Sequence, residues 1–297
     1  MQERAEVMRI TRRSFIGNGA VAIAGAGSWR FKSGLIAPIV RDAKFKIGVP
    51  DWSLRQEAKV ECIGLAKKIG FDGVQISLGV SDKGLPLSDP VTQRAFLDES
   101  RRIGIPITSV CLNILHRNYL KSDQLGQRWV AESIPIAKAL GVRVVLLPFF
   151  GRGALLTTAE MDYVGDALRE IAPLAERSGV ILGLEDTISA RDNVRIMERT
   201  KSATVLVYYD VGNSTLAGFD IIQEIQWLGR NRICEVHLKD NPHFLGQGKI
   251  DFTAVVDVLA GIGYDKWAQL ETDCPTGSVE NDMARNLKFI RDVIARR

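Results

Sequence analysis

The 297-residue chain has 46% hydrophobic and 25% charged residues, enough apolar material for a sizeable core and too much for a disordered chain. Its formal charge is +4, and four arginines against two glutamates through Ala26 account for half of it. The body has no basic block interleaved with aromatics, which argues against nucleic acid as a main partner. Cys62, Cys111, Cys234 and Cys274 are too scattered for a zinc ribbon or a disulfide framework and read as small buried hydrophobes.

The N-terminal stretch differs in kind from the rest of the chain. Thr11-Arg12-Arg13-Ser14-Phe15-Ile16 resembles the twin-arginine export signal, with Gly17 where a basic residue is often found. An apolar run rich in Ala and Gly comes next and ends at Ala24-Gly25-Ala26, a small-x-small cleavage pattern. Residues 1–26 are therefore expected to be a signal peptide read by the twin-arginine export machinery. Residues 27–43 are expected to be a linker, and 44–297 the catalytic domain of a periplasmic or exported protein. The first cysteine is Cys62, so no lipid anchor is expected near the leader. No uncharged apolar stretch elsewhere is long enough to span a bilayer.

After the leader one junction recurs: a helix-like stretch, a glycine, then an apolar strand. It reads KKIGFDGVQI, RRIGIPITSV, KALGVRVVLL, ERSGVILGLE and AGIGYDKWAQL, with Gly70, Gly104, Gly141, Gly179 and Gly263 at the turn. Between junctions the pattern has the helical period. Met161, Val164, Leu168, Ile171 and Ala175 share one face, and Leu287, Ile290 and Ile294 do so in the last helix. The strands VVLL, VILGL and TVLVY are continuously apolar, as parallel strands buried on both faces are. Strands are expected near 45–49, 73–77, 106–112, 142–147, 180–185, 204–210, 233–238 and 267–272, each followed by a helix. Eight such units over about 250 residues predict a single (β/α)8 TIM barrel. A doubly wound sheet is the competitor, but no G-x-G-x-x-G turn follows the first strand.

In a barrel of this kind the C-terminal ends of the strands gather at one mouth. Glu185, Asp210, His237 and Glu271 end strands five, six, seven and eight, so four ligand-type side chains converge there. Three carboxylates held together in a dry mouth repel one another, and a divalent cation relieves the repulsion. One imidazole among oxygen donors suits Mn²⁺ or Mg²⁺, with Co²⁺ or Zn²⁺ as alternatives. Taken singly, each acid could be a helix cap and the histidine a core residue; four in register on consecutive strands point to a metal site.

The segments GLED, YYDVGNS, EVHLKDN, GQGKIDF and QLETD resemble the sugar phosphate isomerase/epimerase superfamily, the xylose isomerase-like TIM barrels. The resemblance runs from about Phe45 to the end and is most specific from Gly183 onward. It implies one divalent metal held by Glu185, Asp210, His237 and Glu271. It also implies that Glu185 and Glu271 act as acid/base groups on opposite sides of a cis-enediolate. A carbonyl-adjacent proton removed on one face and returned on the other gives epimerisation; both transfers by one group give aldose–ketose isomerisation. The chain departs from many family epimerases in having Asn213 where they place a histidine three residues after the aspartate.

Further candidates for substrate contact are Asn113 and His116 after strand three, Asn213, and Trp52, whose ring offers a sugar a stacking face or packs on Phe149 or Phe150. Asp240 is expected either to support His237 or a neighbouring ligand or to lie in a solvated turn before Pro242, and Lys239 to be structural. No loop makes an evident phosphate cradle. The expected function is a metal-dependent isomerase or epimerase of a small carbohydrate. A lyase eliminating from a keto-glycoside or keto-inositol in the same barrel is the alternative, and a non-catalytic sugar-binding protein a further one. An abasic-site nuclease needs a histidine-rich zinc cluster, which three histidines cannot build. The sequence leaves oligomeric state open.

Overall fold

The computed structural model describes residues 43–81 and 84–297. The expected leader and almost all of the expected linker lie outside the described residues. Eight parallel strands, β1 (Lys46–Pro50), β2 (Gly73–Ser77), β3 (Ile107–Cys111), β4 (Val144–Pro148), β5 (Ile181–Glu185), β6 (Val205–Asp210), β7 (Ile233–Leu238) and β8 (Trp267–Leu270), form a barrel in sequence order. It closes by pairing β8 with β1. The helices outside it are α1 (Glu61–Ile69), α2 (Pro90–Ile103), α3 (Gln124–Ala139), α4 (Thr158–Ser178), α5 (Ala190–Thr200), α6 (Val211–Leu216), α7 (Ile221–Arg232), α8 (Phe252–Gly261) and α9 (Val279–Ala295). None of these helices is long and apolar enough to cross a membrane. The expected single TIM barrel is the fold observed.

The junction glycines behave as their position demands. Gly70, Gly104, Gly141, Gly179 and Gly263 all have φ between 67° and 109°, the left-handed turn that ends a helix before the next strand. Helix α4 begins in a capping box between Thr157 and Glu160 and buries Met161, Val164, Leu168 and Ala175.

The strands are apolar on both sides because each side meets a core. Val145 and Leu147 of β4 join the large cluster between sheet and helices, while Val144 and Leu146 join a smaller one with Cys111, Leu206, Tyr208 and Cys234 inside the barrel. A buried polar layer shares that interior. Glu235 accepts hydrogen bonds from Ser109 Oγ (2.8 Å), Tyr208 OH (3.0 Å) and Gln269 Nε2 (3.0 Å), which satisfy a carboxyl group that burial pushes above its ordinary range.

One irregularity sets the height of the mouth. Between β6 and β7 Val207 pairs with Ile233, but Tyr208 pairs with Glu235, so Cys234 is an extra residue on β7. Beyond this bulge Asp210 lies opposite His237; in unbroken register it would face Val236, whose side chain points the other way. Gly183 of β5 makes room for the bulge: a Cβ there would lie 2.8 Å from Cys234 Sγ and 3.2 Å from the Tyr208 ring. We therefore expect Gly183→Ala to lower stability by about 1–3 kcal/mol through overpacking. Urea unfolding checks this, the expected result being a lower midpoint at an unchanged slope.

Candidate metal centre

The mouth is assembled from strand ends at matching heights. Glu185 closes β5 and pairs with Pro148, Asp210 closes β6 opposite His237, and His237 pairs with Gln269 of β8. Glu271 is the first residue past β8, and its N–H still bonds to the Leu238 carbonyl. One ligand-type atom from each of Glu185, Asp210, His237 and Glu271 lies within 4.8 Å of all the others. Glu185, Asp210 and His237 are buried and Glu271 is partly so.

His237 is the centre of the set. Its Nδ1 lies 2.7 Å from Glu185 Oε1, 3.4 Å from Glu271 Oε2 and 3.6 Å from Asp210 Oδ2. One ring nitrogen has a single hydrogen or a single lone pair, so it cannot satisfy three carboxylates through hydrogen bonds. The other ring nitrogen, Nε2, lies 3.0 Å from Gln75 Oε1 of β2. An Nε2–H donated to that oxygen leaves Nδ1 as the nitrogen that faces the three acids and that a cation would take once its proton is lost. Asp210 divides its labour: Oδ1 accepts the Asn213 N–H at 2.8 Å and caps α6, while Oδ2 faces the cluster. The donor set, three carboxylate oxygens and one imidazole, fits one hard or borderline divalent ion.

Electrostatics point the same way. Burial pushes Glu185 up to about 7 against the pull of His237, with Glu271 and Asp210 adding to the rise. Burial works downward on His237, but Glu271, Glu185 and Asp210 outweigh it and raise the imidazole to about 10. For Asp210 burial works upward, and Lys239 and His237 overcome it to hold the carboxyl below its usual range.

Lys239, expected to be structural, belongs to the site. Its Nζ lies 2.7 Å from Asp210 Oδ2 and 2.5 Å from Glu271 Oε2. Burial opposes its charge, but Asp210, Glu271 and Glu185 outweigh it and hold the ammonium protonated. The signal was present in the chain: a period of two places Lys239 on the same inward face as Glu235 and His237. Gln75 was also missed, although the same alternation puts Gln75 and Ser77 on one face of β2.

The cluster opens into a cavity of about 360 Å³, whose lining includes Trp52, Glu57, Asn113, His116, Phe150 and Asn213. Trp52 donates its indole N–H to Glu271 Oε1 at 2.9 Å, so it fixes a carboxylate as well as offering a ring face. His116 stacks on Phe150 with centroids 6.3 Å apart. Asp240 differs from both of its expected roles. Its buried carboxylate accepts the N–H groups of Gly246, Gly248 and Lys249 at 2.8–3.1 Å, organising the loop after β7, and it does not line this cavity.

Residues 63–293 match the xylose isomerase-like TIM barrel family, and the chain belongs to it. Among its relatives, the 2-epi-5-epi-valiolone 7-phosphate 2-epimerase of Actinoplanes sp. is 26% identical over 201 residues, 66% of this chain and 73% of that protein. The L-ribulose-5-phosphate 3-epimerase of Escherichia coli is 26% identical over 247 residues, 73% of this chain and 85% of that one. Solved structures of similar fold include an L-ribulose 3-epimerase (TM-score 0.70, 18% identity, 85% of this chain and 95% of that one). Another is the D-psicose 3-epimerase of Clostridium cellulolyticum H10 (TM-score 0.71, 18% identity, 84% and 99%).

The charge arrangement would make metal binding by this cluster pH-dependent. At pH 7 His237, raised to about 10, carries the proton that its Nδ1 must lose to bind a cation, and burial favours a proton on Glu185 as well. A divalent cation is therefore expected to displace at least one proton on binding at pH 7, with affinity rising as pH increases toward 10. Calorimetry in buffers of differing ionisation enthalpy measures the number; binding without proton release at pH 7 would contradict the arrangement.

Proposed function

We propose that this protein is a divalent-metal-dependent epimerase or isomerase of a small carbohydrate, working by proton transfer beside a carbonyl through a cis-enediolate. The observation that carries the reading is the approach of Glu185 and Glu271 from non-adjacent strands, β5 and β8, to the Asp210–His237 pair between them. Membership of a family whose named relatives include sugar epimerases supports it.

Glu185, Asp210, His237 and Glu271 would hold the ion, with Mn²⁺ the best match to the donor set and Mg²⁺, Co²⁺ and Zn²⁺ as alternatives. When bound, it supplies positive charge beside the carbonyl and so acidifies the adjacent C–H. The protein's own groups do the rest. Glu271 receives two donors, Trp52 and Lys239, which aim its carboxylate into the cavity as the proton acceptor. Glu185 occupies the other side and returns a proton to the opposite face, inverting the centre. As Glu271 is neutralised by the proton it takes, the Lys239 ammonium remains to face the negative charge that has moved onto the substrate. Asn213 lines the cavity beside Lys239 and can hydrogen-bond a hydroxyl, but it cannot relay a proton.

Mn²⁺-loaded protein incubated with free ketoses and 3-keto-glucosides in D₂O and followed by NMR tests the reading. Deuterium at one carbon of an intact skeleton is expected. Loss of the aglycone would replace the reading by a lyase, and binding without exchange by a sugar-binding protein. Glu271→Gln, assayed at verified metal occupancy, is expected to lower turnover by at least about 10²-fold.

The reading includes export, supported by the sequence alone. The Arg12-Arg13 pair and the apolar run to Ala26 would direct the chain to the twin-arginine machinery and place the enzyme in the periplasm. Replacing both arginines by lysine is expected to retain the protein in the cytoplasm, as cell fractionation would reveal; unchanged export would remove the leader from this account.

A further inference from the structure

The cavity wall opposite the acidic strands has its own polar chemistry. The loop after β1 is pinned to β2 by the buried Asp51. Asp51 Oδ2 accepts the Ala58 and Ser77 N–H groups at 2.8 Å each, and Oδ1 accepts the Ser77 hydroxyl at 2.8 Å. That loop delivers Glu57, an exposed residue, to the cavity rim. The Asn113 side chain donates from Nδ2 to Glu57 Oε1. This bond fixes the amide, because the flipped arrangement would set its oxygen against a carboxylate. Asn113 is only 9% exposed, and its Oδ1 is a buried acceptor with no hydrogen-bond partner among the described residues. An acceptor buried in a cavity wall without a donor is a place for a ligand's donor.

The wall therefore presents acceptors, Asn113 Oδ1 and the Glu57 carboxylate. A hydroxyl can donate to either. A phosphate dianion only accepts, and it brings negative charge against Glu57. Lys239 is the one lysine or arginine among the described lining residues, and its ammonium is shared by Asp210 and Glu271. Resting on the proposed epimerase activity, we propose that Glu57 and Asn113 form a hydroxyl-binding subsite that selects an uncharged, hydroxyl-rich sugar and discriminates against its phosphate ester. On this account the chain differs in substrate from the valiolone phosphate and ribulose phosphate epimerases, whose substrates are phosphates by name.

Matched pairs test it: L-ribulose, D-tagatose and D-fructose, each against its terminal phosphate ester, titrated calorimetrically into Mn²⁺-loaded full-length protein. At least one free ketose is expected to bind about tenfold or more tightly than its ester. Equal or tighter binding of the esters, or no binding by any free ketose, overturns the proposal. Glu57→Gln keeps the shape and removes the charge, and Glu57→Lys reverses it. The free-over-ester ratio is expected to shrink about tenfold in the first and to invert in the second, with Mn²⁺ affinity unchanged in both. An unchanged ratio in both variants also overturns it. Deuterium exchange on the same pairs separates the two claims. Selective binding without exchange leaves the subsite standing and defeats the epimerase reading, while exchange that favours the esters does the reverse.

Discussion

His237 is held from two directions, and the site depends on that restraint. Gln75 meets Nε2 from β2, on the far side of the barrel, while three carboxylates meet Nδ1 from β5, β6 and β8. The imidazole thereby bridges the barrel interior and fixes where the acids converge. Its height comes from the single extra residue on β7, which turns an apolar pairing of Asp210 with Val236 into a polar pairing with His237. Backbone register, not side-chain choice alone, makes the cluster.

Charge balance follows from the same geometry. Three acids and one ammonium leave a net negative mouth, which a divalent cation brings near neutrality. The buried Glu235 lies two residues before His237 on the same strand, yet it is separated chemically from the cluster. Its oxygen is met by Ser109, Tyr208 and Gln269, so it needs no hydrogen bond from the cluster. The Tyr208 ring, edge-on to His237 at 4.6 Å between centroids, lies between these two polar layers.

Much of this was legible in the chain, because five of the eight barrel strands announce themselves twice, by an apolar run and by the glycine before it. The strand positions read from sequence agree with the observed strands to within a few residues, and the four convergent residues occupy the strand ends on which they were placed. What escaped has a common cause. Gln75 and Lys239 are polar side chains on inward faces, and their importance lies in partners 162 and 32 residues away. Asp240 looked like support for His237 because of sequence proximity. Alternation turns it outward, where three backbone N–H groups take it up. The bulge at Cys234 leaves no mark in a run that is apolar either way.

The Asp240 clamp also divides the mouth into two kinds of border. On one side the β7–α8 loop is tied to the strand that carries His237, and Gly248 sits so close to Asp240 that a Cβ would lie 2.1 Å from its oxygen. Change there strains the Asp240 clamp at the end of that strand. On the other side, Glu57, Asn113 and His116 come from loops after β1 and β3 and line the same cavity as Glu185 and Glu271. Loop residues that touch none of Glu185, Asp210 and His237 can therefore change what the cavity accepts, while the strand ends that bring those three together stay as they are.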